Sequence, residues 1–177
     1  GISKTAEDLA QQACEIEIDI LGKPIGKQDH YIAAYGGLRH IRFNSDDSVS
    51  VESLPVSEET KRKLNTNTIL FYTGIERSSS TILAEQQRNI ENSFELFCSM
   101  IPLVHDLNSL LINHRNNGHH SLDEFGHLLH QGWQLKQKLA STISNPQLDE
   151  IYDAAFKVGA LGGKLLGAGG GGFFLFY

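Results

Sequence analysis

The sequence predicts an α+β fold in two parts, and three observations predict it. Apolar residues recur at helical spacing over most of residues 78–140, whereas residues 38–52 alternate with the period of two expected of a hairpin. Two short β-branched and aromatic runs, 68–73 and 173–177, lie on either side of that helical stretch. The expected division is residues 1–67, three helices and the hairpin, and residues 68–177, helices against a small antiparallel sheet.

The elements follow in order. Thr5-Ala6-Glu7-Asp8 has the form of a helix start, a hydroxyl cap with an acid three residues on. Leu9, Ala13, Ile16 and Ile20 carry that helix to about residue 21, where Gly22 and Pro24 end it. A loop over 22–28 leads to a short helix through Tyr31 to Ala34, whose N-terminus lies near Asp29, where the helix dipole favours an ionised carboxylate, and which Gly36-Gly37 stops. In the hairpin, Asn44-Ser45-Asp46-Asp47 supplies the polar turn. A charged helix from Ser57 to Leu64 follows, then Thr68 to Thr73 as a buried strand closed by Gly74. Ser78-Ser79-Ser80 reads as the N-terminus of a helical stretch with breaks near Pro102 and at Asn116-Asn117-Gly118. Asn145-Pro146 opens a further helix to Val158. Lys164-Leu165-Leu166 is a strand, and Phe173 to Tyr177 is a continuous apolar strand whose edge favours association, so a homo-oligomer is expected.

Composition narrows the functions. The 15 basic and 21 acidic residues give a formal charge of −6, and the basic residues form no stripe, which argues against nucleic acid as a partner. No apolar run is read as a membrane span and no signal peptide is recognised, so a cytoplasmic location is expected. Cys14 and Cys98 are read as buried apolar thiols. His114, His119, His120, His127 and His130 crowd together, yet no acid or cysteine stands at a ligand spacing beside them, so a metal centre is not expected there.

Two stretches carry chemistry. Asp29 lies between Gly26 and Gly36-Gly37, where a carboxylate suits the acceptance of a proton from a substrate hydroxyl; the plainer reading is a helix cap. Gly167, Ala168, Gly169, Gly170, Gly171 and Gly172 are too glycine-rich for a single turn and stand between two strands, which suits a backbone surface for an anionic ligand.

Glu17, then Gly26-Lys27-Gln28-Asp29 with Gly36-Gly37, then Lys164-Leu165-Leu166 running into the terminal glycines, resembles the GHMP small-molecule kinases. Ile25 to Asp29, Phe71 to Arg77 and Gly132-Trp133-Gln134-Leu135-Lys136 make the resemblance strongest to the heptose 7-phosphate kinases of that superfamily. The resemblance implies a ribosomal-protein-S5-domain-2-like first domain, of which residues 1–67 are the tail, and a ferredoxin-like second domain. It implies ATP and Mg²⁺ as cofactors and a sugar phosphate as acceptor, with transfer to the anomeric hydroxyl of a heptose 7-phosphate. By the same resemblance Asp29 is the base or electrostatic orienter, and Glu17 is the Mg²⁺ ligand. Gly167, Ala168, Gly169, Gly170 and Gly171 support the ATP phosphates, and Gly26, Gln28, Gly36, Gly37, Thr73 and Arg77 bind the acceptor. Members of the superfamily also carry a Pro-x-x-x-Gly-Leu-x-Ser-Ser phosphate loop and a helix and strand after the last apolar strand. Neither occurs in these residues. The expectation is therefore a kinase segment inactive by itself, with fucokinase, galactokinase, mevalonate kinase or a non-catalytic sugar-binding relative as the alternatives.

Overall fold

The computed structural model describes residues 4–114 and 122–177. The chain is α+β and divides into two compact units, Gly1–Pro55 and Val56–Tyr177, ahead of the 67/68 boundary expected from the sequence.

In the first unit α1 (Ala6–Cys14) starts with the expected capping box: Asp8 N–H donates to Thr5 Oγ1 at 3.1 Å, and Thr5 N–H donates to Asp8 Oδ2 at 2.9 Å. The helix continues, as expected, to about residue 21, but over Glu15–Ile20 it widens into a π-helix, closed by Leu21 N–H donating to Ile16 O at 3.0 Å. Single π-turns of this kind often lie at functional sites. The next helix, α2 (Gln28–Tyr35), starts next to Asp29, which stands in its first turn as expected. β1 (Arg39–Phe43) and β2 (Val49–Ser53) form the antiparallel hairpin with Ile41 opposite Val51. Its alternation puts Ile41, Val49 and Val51 on one face, which packs with Ile18 and Tyr35 around buried Ala10, Cys14 and Tyr31. Tyr31 and Tyr35 donate their hydroxyls to the Glu7 carboxylate at 2.9 and 2.8 Å, tying α2 to α1. Burial opposes ionisation of Glu7, but the bonds from Tyr35, Tyr31 and Gln11 outweigh it and hold the carboxyl below its ordinary value, while burial and Glu7 push Tyr31 up to about 12.

The second unit comprises α3 (Glu58–Asn67), β3 (Ile69–Tyr72), α4 (Ser79–Arg88), α5 (Phe94–Asn113), α6 (Asp123–Lys136), α7 (Pro146–Lys157), β4 (Gly163–Leu165) and β5 (Phe173–Phe176). The strands form an antiparallel sheet in the order β3-β5-β4, so the final apolar strand is central and pairs on both sides, which explains its unbroken hydrophobicity. Phe174, Phe176 and Leu165 project from the sheet into a core with Trp133 of α6 and Leu148 and Tyr152 of α7. Trp133 meets Phe174 edge-on with ring centroids 5.7 Å apart. α7 starts as the sequence predicts, with Leu148 N–H donating to Asn145 Oδ1 at 3.1 Å and Pro146 in the first turn.

Four expectations are corrected. The helix does not break at Pro102: α5 runs through it, because Pro102 and Cys98 are both exposed and the carbonyl freed by the missing N–H can be hydrated. The break falls instead in the turn over 89–93; the expected break at 116–118 lies outside the described residues. Unbroken, α5 is a 20-residue helix of mean hydropathy 1.2, long and apolar enough by length and composition to cross a membrane, although the sequence reading found no such run. It carries Glu95 and Asp106 and packs against α6. The strand over 69–72 is not buried, since Ile69, Leu70, Phe71 and Tyr72 are 65%, 58%, 45% and 49% exposed. It is an edge strand hydrogen-bonded only to β5, so the open edge is here and not at the terminal strand. Cys14 is buried, but Cys98 is exposed on α5.

Candidate functional site

The first unit gathers a small charged cluster around Glu17. The π-turn places the Glu17 carboxylate between two basic groups, with Lys23 Nζ 2.9 Å from Oε1 and His30 Nε2 3.0 Å from Oε2. The Lys23 bond, then that of His30, holds the Glu17 carboxyl below its ordinary value. His30 follows Asp29 on α2; its side chain is 9% exposed, and its Nδ1 is buried without a hydrogen-bond partner. Asp29 itself is exposed and makes no hydrogen bond or ion pair to a described residue. It does not cap α2, whose N-cap is Lys27, but the N-terminal turn favours its negative charge. Gly26 and Gln28 line a cavity of about 350 Å³ with Lys27, Phe43, Asn44 and Asp47. Lys27 Nζ pairs with Asp47 Oδ1 at 3.1 Å across it. Gly36 and Gly37 lie at the other end of α2, both at positive φ, outside that lining.

Glu17 suits a single carboxylate contribution to Mg²⁺, which takes one or two protein carboxylates and fills its sphere with water and substrate phosphate. An ion there would compete with Lys23 and His30 for the same two oxygens. Among the described residues no cluster of three or more His, Cys, Asp or Glu could hold a metal; His119 and His120 lie outside them.

The glycine stretch of the second unit is a loop joining β4 to β5 and pressed against two other backbone segments. Gly170 N–H donates to Ile143 O at 2.8 Å and Gly172 N–H to Ile75 O at 2.9 Å. A Cβ on Gly171 would collide with the Ile75 carbonyl oxygen, so glycine is required there by close approach. Thr73 is part of the same contact: its Oγ1 and N–H both donate to Gly172 O at 2.9 Å, and Ile75 N–H donates back to Oγ1 at 3.2 Å. The Arg77 Cδ lies 3.3 Å from where a Gly170 Cβ would be. The structure thus brings Thr73 and Arg77 to the glycine loop in the second unit. Asp29, Glu17, Gly26, Gln28, Gly36 and Gly37 belong to the first unit.

One residue that contacts this loop escaped the sequence reading as a site residue. Lys136, 9% exposed at the end of α6, donates from Nζ to Leu165 O at 2.8 Å and to Gly167 O at 2.6 Å. The signal was present: Leu129, Trp133 and Lys136 fall at i, i+4 and i+7, which puts a lysine on the buried stripe of the helix. A cavity of the second unit, about 770 Å³ and bounded by Ile69, Phe71, Ile151, Val158, Phe176 and others, contains none of the predicted site residues.

The chain is α+β, with a glycine loop between the strands of an antiparallel sheet in one unit and an unpaired carboxylate at a helix start in the other. Residues 107–176 match the family described as GHMP kinases C terminal. Over 175 residues the chain is 30% identical to the D-glycero-alpha-D-manno-heptose 7-phosphate kinase of Campylobacter jejuni, an alignment covering 96% of this chain and 49% of that protein. It is 27% identical to the mevalonate kinase of Thermococcus onnurineus, covering 97% of this chain and 48% of that one. The crystal structure of a D-glycero-D-manno-heptose 1-phosphate kinase from Bacteroides thetaiotaomicron superimposes with a TM-score of 0.69 at 25% identity, over 99% of this chain and 45% of the other. The chain therefore spans about half the length of the relatives it matches.

Proposed function

We propose that the chain is part of an ATP-dependent sugar-phosphate kinase that transfers the γ-phosphoryl group to the anomeric hydroxyl of a heptose 7-phosphate in the cytoplasm. The observation that carries this is the unengaged Asp29 carboxylate in the first turn of α2, in a chain similar over nearly its whole length to sugar and mevalonate kinases. Phosphoryl transfer depends mainly on positioning and charge neutralisation, so one free carboxylate aimed at the acceptor suffices as a protein base or orienter. Asp29 accepts the proton of the acceptor hydroxyl, or orients that hydroxyl, and Gly26 and Gln28 line the cavity beside it, with Gly36 and Gly37 completing the acceptor-binding set. Thr73 and Arg77 contact a substrate phosphate. The backbone of Gly167 to Gly171 supports the nucleotide phosphates, and Glu17 holds Mg²⁺, which when bound neutralises phosphate charge.

The Campylobacter relative's name supports the heptose phosphate as acceptor. Calorimetric titration of the chain with D-glycero-D-manno-heptose 7-phosphate, galactose, fucose and mevalonate separates the acceptors. The heptose phosphate should bind best, and preferential binding of mevalonate would refute the assignment. The chain alone is proposed to turn over little ATP. In the full-length kinase Asp29→Asn should lower kcat by roughly 10²–10⁴-fold. Because Asp29 is exposed and unpartnered, the same substitution should leave stability within about 0.5 kcal/mol of wild type.

A further inference from the structure

We infer that Lys136 is a positioning residue for the glycine loop, one that fixes the peptide between Gly167 and Ala168 so that the Ala168 amide is presented to a phosphate. The inference rests on the nucleotide-phosphate reading of that loop. In a planar trans peptide the C=O and the following N–H point in opposite directions, and the described chain has no cis peptide bond. Lys136 Nζ takes the carbonyls of both Leu165 and Gly167. At the first of these peptides the consequence is visible: the Leu166 N–H, opposite the Leu165 carbonyl, points away from Lys136 and donates to Phe173 O at 2.8 Å, which closes the β4–β5 ladder. At the second, the Ala168 N–H must likewise point away from Lys136, and it makes no hydrogen bond within the described residues.

Two other amides of the loop are committed elsewhere. Gly170 and Gly172 donate inward, to Ile143 O and Ile75 O, and they anchor the far end of the loop. Lys136 anchors the near end by its carbonyls. Gly167 sits at φ +63, a conformation only glycine adopts without strain, so the peptide after it has no side chain of its own to limit its orientation. The lysine supplies that limit from behind. Burying an amino group at 9% exposure is costly unless its donors are satisfied, and the carbonyls of Leu165 at the end of β4 and Gly167 in the loop take two of them in this loop conformation. The buried lysine and the loop geometry therefore require each other.

The experiment is ¹⁵N–¹H NMR of the whole 177-residue chain, wild type and Lys136→Met, titrated with inorganic tripolyphosphate and separately with ATP. Methionine keeps the unbranched stem in the core but removes the donors. Lys136→Gln, which keeps one donor, serves if the methionine variant does not fold, and thermal melts report folding in each case. In the ligand-free spectra the Ala168 cross-peak should move in the variant, while those of Gly170 and Gly172 stay. Phosphate should shift the wild-type Ala168 amide saturably, and the variant should bind roughly tenfold or more weakly, the factor lost with one hydrogen bond to a charged group. Wild-type affinity in a folded variant overturns the inference and leaves the proposed function standing. A wild-type chain that shows no Ala168 response to either probe overturns the nucleotide reading of the loop, and this inference with it.

Discussion

Gly171→Ala puts the packing of the glycine loop to a quantitative test. The added Cβ collides with the Ile75 carbonyl oxygen and comes within 2.9 Å of the carbonyl carbon and 3.2 Å of Ile75 Cγ2. Gly171 is not at positive φ, so the substitution carries no backbone penalty and its effect is steric. These neighbours are mostly backbone and cannot swing aside, so the loop must move away from residue 75. That movement breaks the Gly172 N–H bond to Ile75 O and strains the two Thr73 bonds to Gly172 O. Overpacking costs about 1–3 kcal/mol, and each lost hydrogen bond about 1 kcal/mol. With two bonds lost the sum is about 3–5 kcal/mol, which lowers the melting temperature by roughly 10–20 °C for a unit of this size. Urea titration followed by tryptophan fluorescence reads the second unit alone, because Trp133 is the one tryptophan of the sequence and is 1% exposed against Phe174. The transition should keep its slope and move its midpoint. Gly132→Ala is the control: it lies in the same unit, its Cβ would meet only Leu103 Cδ1 at 4.0 Å, its φ is ordinary, and it should lose no more than about 0.5 kcal/mol. A Gly171→Ala protein as stable as that control would show that the loop does not lie against Ile75.

Two further outcomes follow from the same structure. The Glu17 carboxyl is held below its ordinary value by Lys23 and His30, so its ion pairs stabilise the first unit above the unfolded-state value of about 4.3 and are lost as pH falls through the lower folded value. Melting temperatures of wild type and Glu17→Gln should therefore differ at pH 6 and converge below about pH 4, and a difference that persists undiminished to pH 3 would remove the ion pairs from the account. Tyr152→Phe deletes a buried hydroxyl that lies 3.1 Å from Gly163 O and 2.8 Å from His130 Nδ1. It should cost about 1–3 kcal/mol in urea titration, the penalty of leaving buried partners unsatisfied, and a neutral result would mean that these groups are hydrated.

Much of the local structure was legible because its causes are local. The capping box at Thr5 and Asp8, the Asn145-Pro146 helix start and the two-residue alternation of the hairpin all follow from short-range hydrogen bonds and side-chain periodicity. Pro102 was misread for the same reason. Its sequence signal is a helix stop, and only its exposed place on α5 shows how the stop is overridden. The run Ile69 to Tyr72 was misread because an apolar β-branched segment suits a central strand, yet pairing gave the centre to β5.

The candidate site divides along the same line. By itself the sequence determined the α+β class, the glycine loop between strands and the residue types that make Asp29 a candidate acid, since each depends on composition and spacing within a few residues. Only the tertiary structure decided that a π-turn and the α2 start place Glu17 between Lys23 and His30, and that Asp29 is left free. It alone joined Thr73 to a glycine 99 residues away in the chain and brought Lys136 of α6 beneath Gly167. These pairings are set by how helices pack on a sheet, and separation along the chain carries no record of them.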